Sequence, residues 1–122
     1  MYPPLIEQQN SNAAIGDEGR VLQVISNLVE NALRLTPEGG QVIVTARGNE
    51  IEVSDSGPGL SELDLPRAFE RFYLHTRYRS QRAVGTGLGL AIVEQLVSAM
   101  SGEVTVENRE EGGARFTVRL PT

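Results

Sequence analysis

The stretch that most constrains this chain is residues 53–60, where a short strand pattern runs directly into the sequence Asp-Ser-Gly-Pro-Gly. Gly57 and Gly59 permit positive φ and a close approach of the backbone to a flat ligand, because neither has a Cβ. At the end of the strand, Asp55 can accept a hydrogen bond from the exocyclic amine of adenine. The stretch therefore predicts either a purine pocket or an ordinary turn, since Asp, Ser, Gly and Pro are also the usual turn residues.

Composition limits the remaining possibilities. The 122 residues suit one domain with one core, and a hydrophobic content of 39% is typical of a globular protein. No apolar run approaches the ~20 residues of a membrane helix, and no signal-peptide pattern opens the sequence. The absence of Cys excludes disulfides and thiol catalysis, and a single histidine, His75, makes a His-rich metal site or a Ser-His-Asp triad hard to build.

The charge pattern argues against nucleic acid as a partner, because the formal net charge is −5. All basic residues are Arg, so a Walker A loop and a Lys Schiff base are both excluded. Five of the arginine residues lie in one short stretch, which is either a solvated face or a local anion site. These residues are Arg67, Arg71, Arg77, Arg79 and Arg82.

The first part of the chain predicts a linker followed by a long helix. Residues 1–16 are expected to form a linker, with a possible strand at residues 5–8, and Pro3-Pro4 suggests a piece cut from a longer protein. Asp17 is an N-cap candidate, and apolar residues at helical spacing predict an amphipathic helix over Glu18–Leu35. We expect the folded domain to occupy residues 17–122.

The remainder predicts two hairpins separated by helical and loop segments. Alternating patterns at residues 42–46 and 51–54, and at residues 103–108 and 115–120, each predict a hairpin. The intervening stretch predicts a short helix at residues 63–72, a long loop at residues 73–84 and a second long helix that opens at the glycine run 85–89.

Asn27 and Asn31 lie four residues apart, so they share one face of the first long helix. Two amides beside an apolar face are costly unless they are hydrogen-bonded. They either pair with each other or the backbone, or they contact a ligand, since an amide oxygen suits Mg²⁺. Glu30 is expected to be a surface residue.

The glycine run at residues 85–89 enters a helix N-terminus, where free N–H groups and the helix dipole favour phosphate. A Rossmann fingerprint is not indicated, because a polar loop rather than a strand precedes the run. The preceding loop, residues 73–84, instead suggests a lid over a bound nucleotide.

The order of these motifs resembles the catalytic and ATP-binding domain of bacterial sensor histidine kinases, within the superfamily of gyrase, Hsp90 and MutL. The resemblance covers nearly the whole chain and implies a Bergerat fold: a two-layer α/β sandwich, with three helices on one face of a mixed, mostly antiparallel sheet. The motifs correspond to the N, G1, F and G2 boxes of that family, and four in order are a strong signal. They are Asn27-x-x-x-Asn31, Asp55-x-Gly57-x-Gly59, Phe69-x-x-Phe72 and Gly85-x-Gly87-x-Gly89.

The resemblance implies a role for each matching residue. Asp55 would bind the adenine amine, Asn31 would ligate Mg²⁺, and Asn27 would support the metal and phosphate side. Phe69 and Phe72 would anchor the base of the lid, and Thr117 would assist Asp55 through water. The rest of the implied nucleotide-binding set is Gly57, Gly59, Leu60, Tyr73, Gly85, Thr86, Gly87, Leu88 and Gly89.

The chain departs from the family pattern at three positions. Arg34 and Leu35 stand where many relatives carry Lys and Tyr; Arg34 can still meet phosphate, whereas Leu35 offers adenine apolar packing instead of an aromatic face. Leu74 replaces a common Arg. The γ-phosphate contact would then pass to Arg77, Arg79 or Arg82.

The implied reaction is transfer of the γ-phosphoryl group of ATP, with Mg²⁺, to a histidine on a separate dimerisation domain. Catalytic roles would fall to Asn27, Asn31 and Arg34, while His75 does not match an acceptor motif. A response regulator would act downstream, in the cytoplasm, and the sequence leaves open whether the parent kinase is anchored in the inner membrane. The alternatives are a non-catalytic nucleotide sensor or a hydrolytic ATPase, which is disfavoured because Asn27 stands where such enzymes carry a Glu base.

Overall fold

The computed structural model describes residues 5–9, 17–78 and 87–122. The described residues form five strands, three α-helices and one short 3₁₀ helix at Leu65–Arg67. In chain order the strands and α-helices are β1 (Leu5–Gln9), α1 (Glu18–Leu35), β2 (Val42–Arg47), β3 (Glu50–Asp55), α2 (Tyr73–Tyr78), α3 (Gly89–Ala99), β4 (Glu103–Asn108) and β5 (Ala114–Arg119).

The strands form one mixed sheet in the order β1-β2-β3-β5-β4. Only β1 and β2 pair in parallel, and the other three neighbouring pairs are antiparallel. Helix α1 packs on β2 and β3, and α3 packs on α1 and β4. This arrangement confirms the predicted two-layer α/β sandwich. Within the described ranges, no helix has the length and apolar character needed to cross a membrane.

Helix α1 begins and ends where the sequence predicts. The side chain of Asp17 accepts a hydrogen bond from the Arg20 N–H at 3.0 Å, so it caps the first turn. Val24, Leu28 and Ala32, spaced four residues apart, are buried on the face that meets the sheet.

The sheet contributes the opposite half of the core through alternate residues. In β3, Ile51 and Val53 are buried on the helix-covered face, and in β5, Phe116 and Val118 take the equivalent positions. Both predicted hairpins are confirmed, since β2 pairs with β3 and β4 pairs with β5.

Two of the predicted segments are wrong in detail. The helix expected over residues 63–72 is only the 3₁₀ turn Leu65–Arg67, and the loop expected from residue 73 begins instead with α2. The boundary between them is Phe72, whose φ of 64° interrupts a right-handed helix. The remainder of the predicted lid, residues 79–84, and most of the expected linker lie outside the described residues.

Candidate functional site

Asp55 is the last residue of β3 and belongs to the buried face of that strand. Its side chain lies on the same face as Val53 and is only 2% exposed. Oδ1 accepts hydrogen bonds from the backbone N–H of Gly57 at 2.9 Å and of Ala114 at 3.3 Å. The carboxylate is therefore held in one orientation at the edge of the core.

A pocket of about 260 Å³, including the solvent at its mouth, opens beside this carboxylate. Apart from Asp55 and the amide of Asn31, its walls are apolar side chains and backbone. The lining residues are Asn31, Leu35, Asp55, Pro58, Gly59, Leu60, Leu74, Ala114 and Phe116.

Two glycines let the turn after Asp55 pass close to its neighbours. A Cβ on Gly57 would lie 2.7 Å from the carbonyl oxygen of Leu35, at the end of α1. Gly59 has a φ of 72°, and a Cβ there would lie 2.7 Å from Oδ1 of Asn108. The predicted need for glycine at both positions therefore has a steric cause in the protein itself.

The hairpin of β4 and β5 supports the glycine turn from the other side. Asn108 exchanges two hydrogen bonds with the backbone of Leu60, at 2.9 and 2.6 Å. Nη1 of Arg109 donates to the carbonyl oxygen of Asp55 at 2.8 Å, and a Cβ at Gly113 would overlap that same carbonyl. The second hairpin thus fixes the backbone from the Asp55 carbonyl to Leu60.

The two asparagines of α1 have different surroundings. Asn27 accepts a hydrogen bond from Gln23 at 2.9 Å and donates to the Gly89 carbonyl at 3.4 Å, which links α1 to the start of α3. Asn31 lines the pocket, and its Nδ2 is buried with no hydrogen-bond partner among the described residues. Asn27 is therefore hydrogen-bonded within the protein, whereas Asn31 has a buried polar group available to a ligand.

The two residues at the end of α1 that depart from the family pattern have different surroundings. Leu35 lines the pocket, as expected for a contact with a base. Arg34 forms an ion pair with Glu30 at 3.4 Å, and the Glu30 side chain is exposed, as predicted. An exposed ion pair of this kind contributes little to stability, so Arg34 can exchange Glu30 for another anion.

Helix α2 contributes to the pocket a residue that was not predicted from the sequence to line it. Leu74 lines the pocket, whereas Phe72 and Tyr73 are not among its lining residues in the described chain. Phe69 packs edge-to-face on Phe116, with ring centroids 5.9 Å apart. The backbone N–H of Phe72 donates to the carbonyl of Gly87 at 2.8 Å, which joins the two ends of the predicted lid.

The predicted phosphate-contacting arginines are only partly described. Nε of Arg77 lies 3.3 Å from Oδ1 of Asp64, a fully buried carboxylate. His75, which falls in the stretch predicted to be a loop, is half-buried in α2. Leu88 is the N-cap residue of α3, and Gly89 is its first residue. The predictions for Arg79, Arg82, Gly85 and Thr86 fall on residues outside the described ranges.

The structure does not bring Thr117 to the site. Side chains alternate along β5, so Thr117 lies on the face away from the helices, beside Glu52 of β3. Ala114 takes the place beside Asp55 instead, through its backbone N–H. The expected assistance of Thr117 to Asp55 is therefore wrong.

Sequence reasoning also missed several residues that shape the site. Asn108 and Arg109 precede a Gly-Gly turn, but their contacts join segments that are far apart in sequence. Leu74 could have been recognised as a buried contact, because it is an isolated aliphatic residue in a polar stretch. The missed residues are Pro58, Leu74, Asn108, Arg109, Gly113, Ala114 and Phe116.

Comparisons with known proteins agree with this geometry. The sequence model of the histidine kinase-, DNA gyrase B-, and HSP90-like ATPase family matches residues 16–122. The histidine protein kinase DivJ of Caulobacter vibrioides is 45% identical over 109 residues, which cover 86% of this chain and 18% of DivJ. The structure of the mycobacterial sensor histidine kinase MprB is 31% identical, with a TM-score of 0.76 over 95% of this chain and 83% of that one. ShkA, solved with AMPPNP, is 34% identical with a TM-score of 0.74, over 96% of this chain and 25% of ShkA.

The chain therefore belongs to the histidine kinase-, DNA gyrase B-, and HSP90-like ATPase family. Within it, the similarity is to the catalytic domains of sensor histidine kinases, which confirms the resemblance drawn from the four motifs. The chain spans about a fifth of the length of the curated relatives WalK and DivJ, at 18% of each.

Proposed function

We propose that this chain binds ATP and serves as the catalytic module of a sensor histidine kinase. The observation that carries the proposal is the Asp55 carboxylate, 2% exposed and fixed by two backbone N–H groups at a largely apolar pocket. A buried carboxylate of this kind selects a donor, and the exocyclic amine of adenine is such a donor.

The remaining pocket residues suit the faces of a purine. Leu35, Leu60 and Leu74 offer apolar contact, and Gly59 lets the backbone approach closely. Shape and apolar burial would supply affinity, while Asp55 would supply selectivity for adenine over purines with an oxygen at the same position.

Mg²⁺ is the metal that the chemistry of the site suits. Among the described residues there is no cluster of three or more His, Cys, Asp or Glu side chains, so a cage made by the protein alone is not indicated there. Mg²⁺ often takes one or two oxygen ligands from the protein and completes its shell with phosphates and water. The amide oxygen of the pocket-lining Asn31 fits that role when the amide is flipped, which places the oxygen where Nδ2 now has no partner among the described residues. When bound, the ion would neutralise charge on the phosphates during transfer.

The phosphates would extend from the pocket towards the start of α3. Asn27 already touches this region through Gly89, and Arg34, three residues after Asn31 on α1, would add a positive charge. The proposed nucleotide-binding residues also include those outside the described ranges. The phosphate-side set is Asn27, Arg34, Arg79, Gly85, Thr86, Gly87, Leu88 and Gly89.

In the proposed reaction an imidazole nitrogen of the acceptor histidine forms a bond to the γ-phosphorus as the bond to the β–γ bridging oxygen breaks. ADP leaves with that electron pair, and the imidazole loses its proton to solvent. The module contributes positioning and electrostatic stabilisation. The acceptor would lie on the dimerisation domain of the parent kinase, a response regulator would receive the phosphoryl group next, and both would act in the cytoplasm, where ATP is available.

The test supplies labelled ATP and Mg²⁺ to the chain together with a separately purified acceptor domain from the same parent kinase. Label on the acceptor histidine supports the proposed function. Nucleotide binding without transfer would favour the sensor alternative, and continuous release of inorganic phosphate by the chain alone would favour the ATPase alternative. Absence of any adenine nucleotide binding would overturn all three.

A further inference from the structure

Asp64 is a second buried carboxylate, and it lies outside the lining of the base pocket. Its exposed fraction is 0%, as low as that of the innermost apolar side chains. Oδ1 accepts a hydrogen bond from the hydroxyl of Tyr73 at 2.7 Å and lies 3.3 Å from Nε of Arg77. A buried charge is costly unless it is paired, so the partners on α2 make this position tolerable.

The backbone holds Asp64 firmly to the segment that follows the glycine turn. Its N–H donates to the carbonyl of Ser61 at 3.0 Å, and Oγ of Ser61 lies 3.2 Å from the same nitrogen. Its own carbonyl accepts from the Arg67 N–H at 3.0 Å, within the 3₁₀ turn. Asp64 is therefore a fixed point, while Tyr73 and Arg77 are the parts that it holds.

Helix α2 depends on such an anchor because it is short. Its six residues fall well below the ~12–15 at which an isolated helix becomes even marginally stable in water. Tyr73 and Arg77 are four residues apart and so share one face, which Asp64 engages at both ends. The Tyr73 ring is also covered by the Arg67 guanidinium, 4.1 Å from the ring centroid, and Arg67 pairs with Glu70.

The residue between these two anchors matters for the pocket. Leu74 follows Tyr73 directly and lines the same pocket as Asp55 and Leu35. Because α2 is fixed through its neighbours, the position of Leu74 is set by Asp64. The buried carboxylate thus connects to base binding without touching a base.

We infer that Asp64 is a positioning residue that docks α2 through Tyr73 and Arg77 so that Leu74 forms a wall of the base pocket. Arg77 then acts through Asp64, so of the three arginines considered for the γ-phosphate it is not the ligand. The inference rests on the proposed function and adds to it the contacts that position one wall of the site.

The test compares two nucleotides that differ in the γ-phosphate. Calorimetry measures binding of ADP and of AMPPNP, both with Mg²⁺, to the chain and to its Arg77→Gln, Asp64→Asn and Tyr73→Phe variants. Arg71→Gln is the matched control, because it removes the same charge from an exposed position shortly before α2. Hydrogen exchange at the amides of Tyr73–Tyr78 reports the docking of α2 independently of nucleotide.

Each hydrogen bond lost is expected to weaken ADP and AMPPNP binding to the same degree, roughly two- to tenfold, with faster exchange in α2. Arg77→Gln and Asp64→Asn combined should cost less than the product of the two single effects, because both break one contact. Arg71→Gln should change neither affinity nor exchange.

A loss confined to AMPPNP in Arg77→Gln would show a γ-phosphate ligand and overturn the inference, as would unchanged binding and exchange in all three variants. If Asp64→Asn does not fold, Tyr73→Phe and Arg77→Gln still decide the question. Faster α2 exchange in these variants of a chain that binds no ADP would retain the anchor and reject the proposed function.

Discussion

The side-chain amide of Asn108 pairs with both backbone groups of Leu60. Oδ1 accepts from the Leu60 N–H at 2.9 Å, and Nδ2 donates to the Leu60 carbonyl at 2.6 Å. Asn108 is the last residue of β4, and Leu60 follows the glycine turn, so this contact ties the second hairpin to the proposed adenine site. The amide acts as a substitute for a neighbouring strand at a point where the turn has none.

Replacing Asn108 by Ala should therefore destabilise the chain and weaken nucleotide binding together. Two backbone groups lose their partners, which costs roughly 1–3 kcal/mol of unfolding free energy. We expect ADP affinity of the folded variant to fall as well, because Leu60 lines the pocket. Urea unfolding and calorimetry measure the two effects.

Asn49→Ala is the matched control for that variant. Nδ2 of Asn49 donates to the Leu120 carbonyl at 2.7 Å, at the end of the sheet away from the pocket. This variant should lose stability but retain wild-type ADP affinity. Equal loss of affinity in both variants would show that the effect of Asn108 is general destabilisation.

Gly59→Ala should cost more than a left-handed glycine elsewhere. Gly48, with a φ of 56° and no atom near its Cβ position, isolates the backbone cost, about 1–2 kcal/mol. At Gly59, with a φ of 72°, the added methyl group also meets Oδ1 of Asn108, which is already committed to Leu60. We expect Gly59→Ala to exceed Gly48→Ala in urea unfolding, and the excess to vanish in the Asn108→Ala background.

Asn31→Ala should separate metal binding from stability. The amide nitrogen of Asn31 has no hydrogen-bond partner in the described chain, so its removal breaks no described bond and should cost at most about 1 kcal/mol. The increase in AMPPNP affinity that Mg²⁺ provides should be lost, and phosphoryl transfer should be abolished. An unchanged Mg²⁺ effect on affinity would remove Asn31 from the proposed metal site.

Asn27→Ala provides the contrast on the same helix. Asn27 is bonded to Gln23 and to the Gly89 carbonyl, so its loss should loosen the contact between α1 and α3. We expect a larger loss of stability than for Asn31→Ala, measured by the same urea titration.

Local patterns were sufficient to predict the main elements. Apolar residues at helical spacing predicted α1 with both ends correct, and alternating patterns predicted both hairpins. These features depend on neighbours within one or two turns, which a sequence displays directly. The family motifs then placed Asp55 and Asn31 at one site.

What the sequence did not predict depends on contacts between distant segments. The pairing of Asn108 with Leu60 spans 48 residues, and no periodicity marks it. The left-handed φ of Phe72 could not be foreseen either, because an aromatic residue rarely adopts it. The hydrogen bond from Tyr73 to Asp64 is also a contact between separate segments, and it supports helix α2 where the sequence predicts a loop.

The central claim, that Asp55 selects adenine, is tested most directly by Asp55→Asn. Oδ1 already accepts two backbone N–H groups, so the variant amide should keep its oxygen there and turn its NH₂ group towards the base. That group would oppose the adenine amine but match the carbonyl oxygen of hypoxanthine. Calorimetry with ADP and with inosine diphosphate reads both effects on one protein.

We expect the wild-type chain to prefer ADP. The Asp55→Asn variant should bind ADP about tenfold or more weakly, and its preference for ADP over inosine diphosphate should disappear or reverse. Undiminished ADP affinity in the Asp55→Asn variant, with the preference for ADP intact, would contradict the account.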